Sequence, residues 1–223
     1  MFKLLTKQSA KLDKSQSDGV LSVIMYLDPM YNRNICKGAS AGCRKSCLIY
    51  SGRMAMTNAV QARKKRTDIL VNHPDVFKQK LMSELKQAHT RARKQGKKLA
   101  ARLNGTSDLD FSEYYKAFPD IQFYEYTKRP DLAEKISSFP NVDVTFSKNE
   151  NHTEQQVLEV LDKGTNVAVV FIDSIPKVWA GRTVINGDVH DRRFEDKKGQ
   201  IVGLKLKGTN KAKKAAIKHG FAV

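Results

Sequence analysis

Three cysteines, Cys36, Cys43 and Cys47, are the only ones in the chain, and they fall in one short run, Cys36-Lys37-Gly38-Ala39-Ser40-Ala41-Gly42-Cys43-Arg44-Lys45-Ser46-Cys47, spaced as C-x6-C-x3-C. Small residues between thiols let a chain bend sharply and bring backbone amides close to a compact inorganic centre. Lys37, Arg44 and Lys45 favour the thiolate form that binds metal. The plainer reading, three incidental buried thiols acting as small hydrophobes, sits badly with polar, glycine-bearing surroundings. Zinc wants four protein ligands, and no CxxC knuckle or nearby histidine supplies the fourth. Three cysteines suffice for a cluster with one open iron, so an iron-sulfur cluster of 4Fe-4S type is favoured over zinc.

A second set of polar groups falls where strands are expected to end. Asn104, Thr106, Ser107 and Asp108 follow one apolar run, Tyr126 and Lys128 close the next, and Ser147 ends a third. In a βα fold the loops at strand ends converge on one mouth, so these residues are candidates for a shared cofactor pocket. Turn chemistry alone also favours Asn-Gly and Ser-Asp. Asp188 joins the candidates from Asn186-Gly187-Asp188-Val189-His190-Asp191-Arg192-Arg193, whose acids, histidine and guanidiniums suit acid-base or phosphate contacts. Those charges can equally pair with one another.

Lysine and arginine number 40 against 23 acids, a formal net charge of +17. A polyanionic partner is the usual use of such an excess, because each phosphate neutralised releases condensed counterions. The alternative is a lysine-rich surface kept for solubility. Arg63, Lys64, Lys65 and Arg66 after the cysteines, with Lys211, Lys213 and Lys214 near the C-terminus, are the candidate nucleic-acid contacts, with DNA and RNA both open. No apolar run is long enough to span a membrane, and the start lacks a signal-peptide pattern. A cytoplasmic protein is therefore expected, in a reducing compartment where cysteines serve metals or catalysis.

The elements that must position these groups are legible in outline. Lys3 to Ser17 is polar and irregular; Val20–Leu27 reads as a buried strand. The cysteine loop runs from Asn32 to about Gly52, and a helix capped by Thr57-Asn58 continues to about Asn72. His73-Pro74-Asp75 starts another helix, with Phe77, Leu81, Leu85, Ala88 and Ala92 on one face before Gly96. Short strand candidates then alternate with helical pieces through Leu99–Leu103, Ser112–Phe118, Ile121–Tyr126, Leu132–Ser138 and Val142–Phe146. A helix over Thr153–Lys163, strands at Val167–Ile172 and Ile201–Leu206, and a helix over Thr209–His219 complete the chain. The alternation predicts a single α/β domain with parallel strands, an incomplete or closed βα barrel, with an open doubly wound sheet as the alternative.

The cysteine loop, Arg102-Leu103-Asn104-Gly105-Thr106-Ser107-Asp108, Phe123-Tyr124-Glu125-Tyr126-Thr127-Lys128, Thr145-Phe146-Ser147, and Asn186-Gly187-Asp188 with His190-Asp191-Arg192-Arg193-Phe194 resemble a family of small tailed-phage proteins of undefined role, from about Leu5 to Gly220. That family is similar in layout to radical-SAM enzymes, which carry a three-cysteine loop after the first strand of a βα barrel, usually as C-x3-C-x2-C. The resemblance implies a phage protein working in the cytoplasm of the infected host cell. It also implies S-adenosylmethionine as a possible second cofactor beside the cluster. Two functions follow: an iron-sulfur protein that binds nucleic acid through its basic surface, or a radical-SAM-like enzyme acting on a nucleotide or nucleic acid.

Overall fold

A computed structural model describes residues 2–7 and 19–223. Residues 8–17 of the stretch read as irregular lie outside the described residues. The apolar run after Gly19 forms β2 (Val20–Met25), and a short strand that the sequence did not announce, β1 (Leu5–Thr6), pairs antiparallel on its outer edge. β3 (Lys98–Arg102), β4 (Gln122–Thr127), β5 (Val142–Ser147) and β6 (Asn166–Phe171) follow in parallel, each beside its predecessor. β9 (Ile201–Lys205) lies parallel to β6, and β8 (Arg182–Asn186) lies parallel to β9.

The far edge is a hairpin of β7 (Val178–Trp179) with β8. Its two turn residues, Ala180 and Gly181, both have positive φ, 48° and 70°, the backbone a right-twisted two-residue hairpin needs. The nine strands therefore run β1-β2-β3-β4-β5-β6-β9-β8-β7 and do not close. This corrects the closed form of the barrel expectation: β1 occupies the outer edge of β2, and β8 with β7 extend the other edge, so neither edge strand meets the other. An open, mostly parallel α/β sheet results. Periodicity reports burial of each strand and carries no information about closure.

Between the strands lie α1 (Ala41–Lys45), α2 (Thr57–Asn72), α3 (Pro74–Lys94), α4 (Ser112–Ala117), α5 (Pro130–Ser137), α6 (Glu154–Asp162) and α7 (Asn210–Lys218). Alternation along the strands decides what each face packs against. Val23, Leu99, Ala101, Phe123 and Val144 share one core with Phe77, Leu81 and Leu85 of α3 and with Leu132 and Ile136 of α5. Phe146, Val167 and Val169 join Val157 and Leu161 of α6. The opposite face meets other partners: Ile24 and Tyr26 pack on Met54, Tyr124 on Phe194, and Val170 with Leu206 on Ala216 of α7.

One helix start differs in detail from expectation. α2 starts at Thr57 with Met56 as its cap residue and no side-chain cap, because Asn58 Oδ1 accepts instead from the amide of Ala59. α6 has a full capping box, made by Thr153 and Gln156.

Candidate functional site

The cysteine loop follows the first parallel strand and lies at the carboxyl ends of the sheet strands, the edge where α/β folds place their sites. The loop begins with the single 3-10 turn Arg33–Ile35, continues through α1, and ends in the turns Leu48–Tyr50 and Gly52–Ala55. Having few apolar residues of its own, it is held by polar groups from successive strand ends. The amide of Asp108, beyond β3, donates to the carbonyl of Ile35 at 3.0 Å, and Cys36 bridges to Asp108 in parallel fashion. Beyond β5, Asn149 Nδ2 donates to the carbonyl of Gly38 at 3.3 Å.

Glu150 grips the start of α1: the Ser40 hydroxyl and the Gly42 amide donate to its two carboxylate oxygens, each at 2.5 Å. Ser40 in turn caps α1 by accepting from the amide of Cys43 at 3.2 Å. Within the loop, Arg44 Nη2 donates to the carbonyl of Cys36 at 3.0 Å. On the outer side α1 packs against α7, where Lys45 Nζ and His219 Nε2 stand 3.0 Å apart. Gly38 is required because a Cβ there would meet Asp108 Oδ2 at 2.3 Å.

The three thiols occupy a common electrostatic environment. Burial pushes the Cys36 thiol up to about 12, opposed by Lys128 and reinforced by Asp108, Cys43 and Cys47. Burial likewise pushes Cys47 up to about 11, with Lys128 and Arg63 among the groups opposing it. Against its own desolvation, the Lys128 ammonium is held above the ordinary lysine range by Cys43, Cys36, Asp108 and Cys47. Among the described residues no three His, Cys, Asp or Glu side chains converge as they would on a bound ion. The donor set nevertheless fits a thiolate centre in its chemistry: three half-buried thiols on one loop, with one ammonium and the Arg63 guanidinium to offset thiolate charge. Ligation by this set requires displacement of its thiol protons.

The cofactor candidates divide into three groups. Asn104, Thr106 and Ser107 build the turn after β3: Asn104 Oδ1 accepts from the Ser107 hydroxyl and the Leu109 amide, and Thr106 Oγ1 donates to the carbonyl of Leu27 at 2.6 Å. Asp108 joins them to the next strand end, accepting from the Thr127 hydroxyl at 2.6 Å and the Lys128 amide at 3.2 Å. Lys128 faces the thiols, and Ser147, at the end of β5, is half-buried just before Lys148, Asn149 and Glu150. Tyr126 belongs to the other face of the sheet, where the Arg102 guanidinium stacks on its ring at 4.3 Å. Asp188 lies beyond β8, paired with Lys207 Nζ at 2.5 Å.

The nucleic-acid candidates divide as well. Lys64, Lys65, Lys211, Lys213 and Lys214 are exposed. Arg63 is buried and donates from Nη1 to the carbonyl of Met54 at 2.7 Å, while Arg66 donates from Nε to the carbonyl of Lys3 and from Nη2 to Thr6. Those two arginines join α2 to its neighbours and are not free to grip phosphate. A cluster of like residues in sequence hides this, because on a helix only some of four consecutive residues can face solvent.

Sequence reading missed Asn149 and Glu150, although Ser147-Lys148-Asn149-Glu150 is a polar run directly after a buried strand. It also missed Glu125, whose carboxylate is buried and accepts from the amides of Leu103 and Asn104 at 2.8 and 2.9 Å. Among the described residues no helix is long and apolar enough to cross a membrane. Residues 3–222 match the model of the family described as Gene product 88. No curated protein and no solved structure matches the chain.

Proposed function

The chain belongs to the Gene product 88 family, and we propose that it is a phage iron-sulfur protein that binds nucleic acid through its basic surface. The observation that carries the reading is that Cys36, Cys43 and Cys47 all lie on one loop at the carboxyl edge of the sheet, near enough to raise the Lys128 ammonium, and that the loop is fixed by Asp108, Asn149 and Glu150. The cluster would supply a redox-active or locking centre there, and Lys128 and Arg63 would offset its net negative charge. The helix packed against that loop, α7, presents Lys211, Lys213 and Lys214 to solvent, and the formal charge of +17 suits a polyanion.

The test is purification without oxygen followed by absorbance, iron and sulfide analysis. A brown protein absorbing broadly near ~400 nm, with the band lost in Cys43→Ala, is expected. A colourless protein holding one zinc would overturn the cluster.

A second reading, a radical-SAM-like enzyme acting on a nucleotide or nucleic acid, draws support from the run of parallel strands β2 to β6 in chain order with the cysteine loop after the first of them. Asn104, Ser107 and Asp108 stand beside that loop, although Asn104 and Ser107 already bond each other. Reduced, cluster-loaded protein should then cleave S-adenosylmethionine to 5'-deoxyadenosine; neither binding by calorimetry nor product would remove this reading and leave the first intact.

A further inference from the structure

The stretch carrying the cysteines combines exposed large apolar side chains with an excess of cations. From Asp28 to Asp68 the sequence contains no Asp or Glu between those two residues, while it carries many lysines and arginines. The same stretch displays large apolar side chains to solvent: Tyr31, Leu48, Tyr50 and Met56 are all exposed, Tyr50 by 41% and Met56 by 56%. They are not loosely held. The turn Leu48–Tyr50 packs on the turn Gly52–Ala55, which packs on the start of α2.

Each turn is anchored inward, by buried Ile49 in one and by Met54 against Ile24 and Tyr26 in the other. The carbonyl of Met54 is further fixed by buried Arg63. Anchoring Ile49 forces its neighbours Leu48 and Tyr50 outward. Arg53 and Lys64, both exposed, supply cations in the same part of the chain.

We infer that this surface binds single-stranded nucleic acid, with unpaired bases stacking on Tyr50 and its apolar neighbours and phosphates meeting Arg53 and Lys64. Aromatic faces set among cations are what a single strand requires, since every base offers a π-face and every linkage a charge; Tyr31 is held by Asp68 at 3.1 Å, which leaves Tyr50 as the stacking ring. A duplex hides its base faces and needs only the cations. An anionic membrane calls for apolar residues along one face of a long amphipathic helix, whereas here Leu48 and Tyr50 stand on one 3-10 turn and Tyr31 and Met56 lie outside any helix. The inference rests on the nucleic-acid reading above and narrows it to strand state and place.

The experiment uses the full chain and fluorescence anisotropy with a labelled oligothymidylate and a labelled duplex of equal length. The single strand should bind at least roughly tenfold more tightly than the duplex, and Tyr50→Ala combined with Leu48→Ser should lose roughly tenfold of single-strand affinity with little effect on the duplex. Tyr50→Trp should keep single-strand affinity and show quenched indole fluorescence on binding, a readout that a folding defect would not produce. Salt-dependent binding with no strand preference and no effect of Tyr50→Ala overturns this inference and leaves nucleic-acid binding standing. No affinity for either oligonucleotide ends both. Binding to phosphatidylglycerol vesicles in place of oligonucleotides overturns the inference in favour of a lipid surface.

Discussion

Arg102 of β3 and Asp191 of the segment after β8 form a buried ion pair, Nη1 to Oδ2 at 3.1 Å, that ties the sheet to a segment with little regular structure. The guanidinium also donates from Nε to the carbonyl of Asn104 and stacks on Tyr126, so its directions are fixed. Asp191→Ala leaves an uncompensated buried cation and should cost about 3–5 kcal/mol, whereas replacing both partners with apolar residues of similar volume should cost far less. Urea unfolding of the single and double variants measures the difference. Equal losses in both would show that the pair is not what holds the segment.

Glu125 carries a pH dependence of the sign that burial imposes on a carboxyl group. Burial raises it from 4.5 to about 7, against the lowering effect of the Leu103 and Asn104 amides and of Arg102. A folded value above the unfolded one means its contribution is fully present below pH 4.5 and declines as pH rises through about 7. Urea midpoints of the natural chain should therefore fall across that window relative to Glu125→Gln, which does not titrate. The substitution itself should cost about 1 kcal/mol, because one amide donor keeps an oxygen and the other loses it. Parallel pH profiles of the two proteins would show the assignment wrong.

Glu150 works the other way. Although partial burial raises it, the Ser40 hydroxyl and the Gly42 amide hold it below its ordinary 4.5. Its grip on α1 is present above that value and is lost as pH falls through the depressed one. Protection factors at the amides of Gly42 and Cys43, taken relative to the intrinsic exchange rate at each pH, should fall on acidification, and Glu150→Ala should show low protection there already at neutral pH while the core strands keep theirs.

The C-terminal lysines and Arg63 should separate cleanly by assay. Lys211, Lys213 and Lys214 reversed to Glu should weaken binding uniformly across sequences, flatten the slope of log affinity against log salt and leave stability almost unchanged. Arg63→Ala should instead lower stability, by about 1–3 kcal/mol for the lost buried hydrogen bond. Anisotropy titrations at several salt concentrations beside thermal melts distinguish the two.

Much of the frame was legible in advance because it rests on local chemistry. Val20–Met25, Val142–Ser147 and Asn166–Phe171 are apolar enough to be strands, and the 3- and 4-residue spacing from Phe77 to Ala92 could only be one helix face. The cysteine spacing marked the loop. Closure was not legible, since it depends on which edges meet, nor was the β7–β8 hairpin, whose strands are half-exposed and short. Of the candidate site, Asp108 and Lys128 stand at the loop as their strand-end positions suggested. Asp188 and Tyr126 stand apart, because a strand-end position does not say toward which face, or how far along the sheet, a side chain lies. Arg63 shows the same limit on a helix: charge is read from the sequence, exposure from packing.

The anchoring of the cysteine loop also sets the order in which the molecule can be built. Ser40 and Gly42 wait for Glu150, 110 and 108 residues later, and Lys45 meets His219 across 174 residues. Contacts of such separation form late, after local helices and adjacent strands, because loop-closure entropy must be met first. During synthesis the thiols thus emerge well before the residues that enclose them. Until α7 docks they retain ordinary thiol reactivity, open to alkylation or to an incoming metal, and enclosure is a late and cooperative event. Pulsed thiol labelling during refolding should accordingly find Cys36 and Cys47 accessible after the helical signal has been recovered.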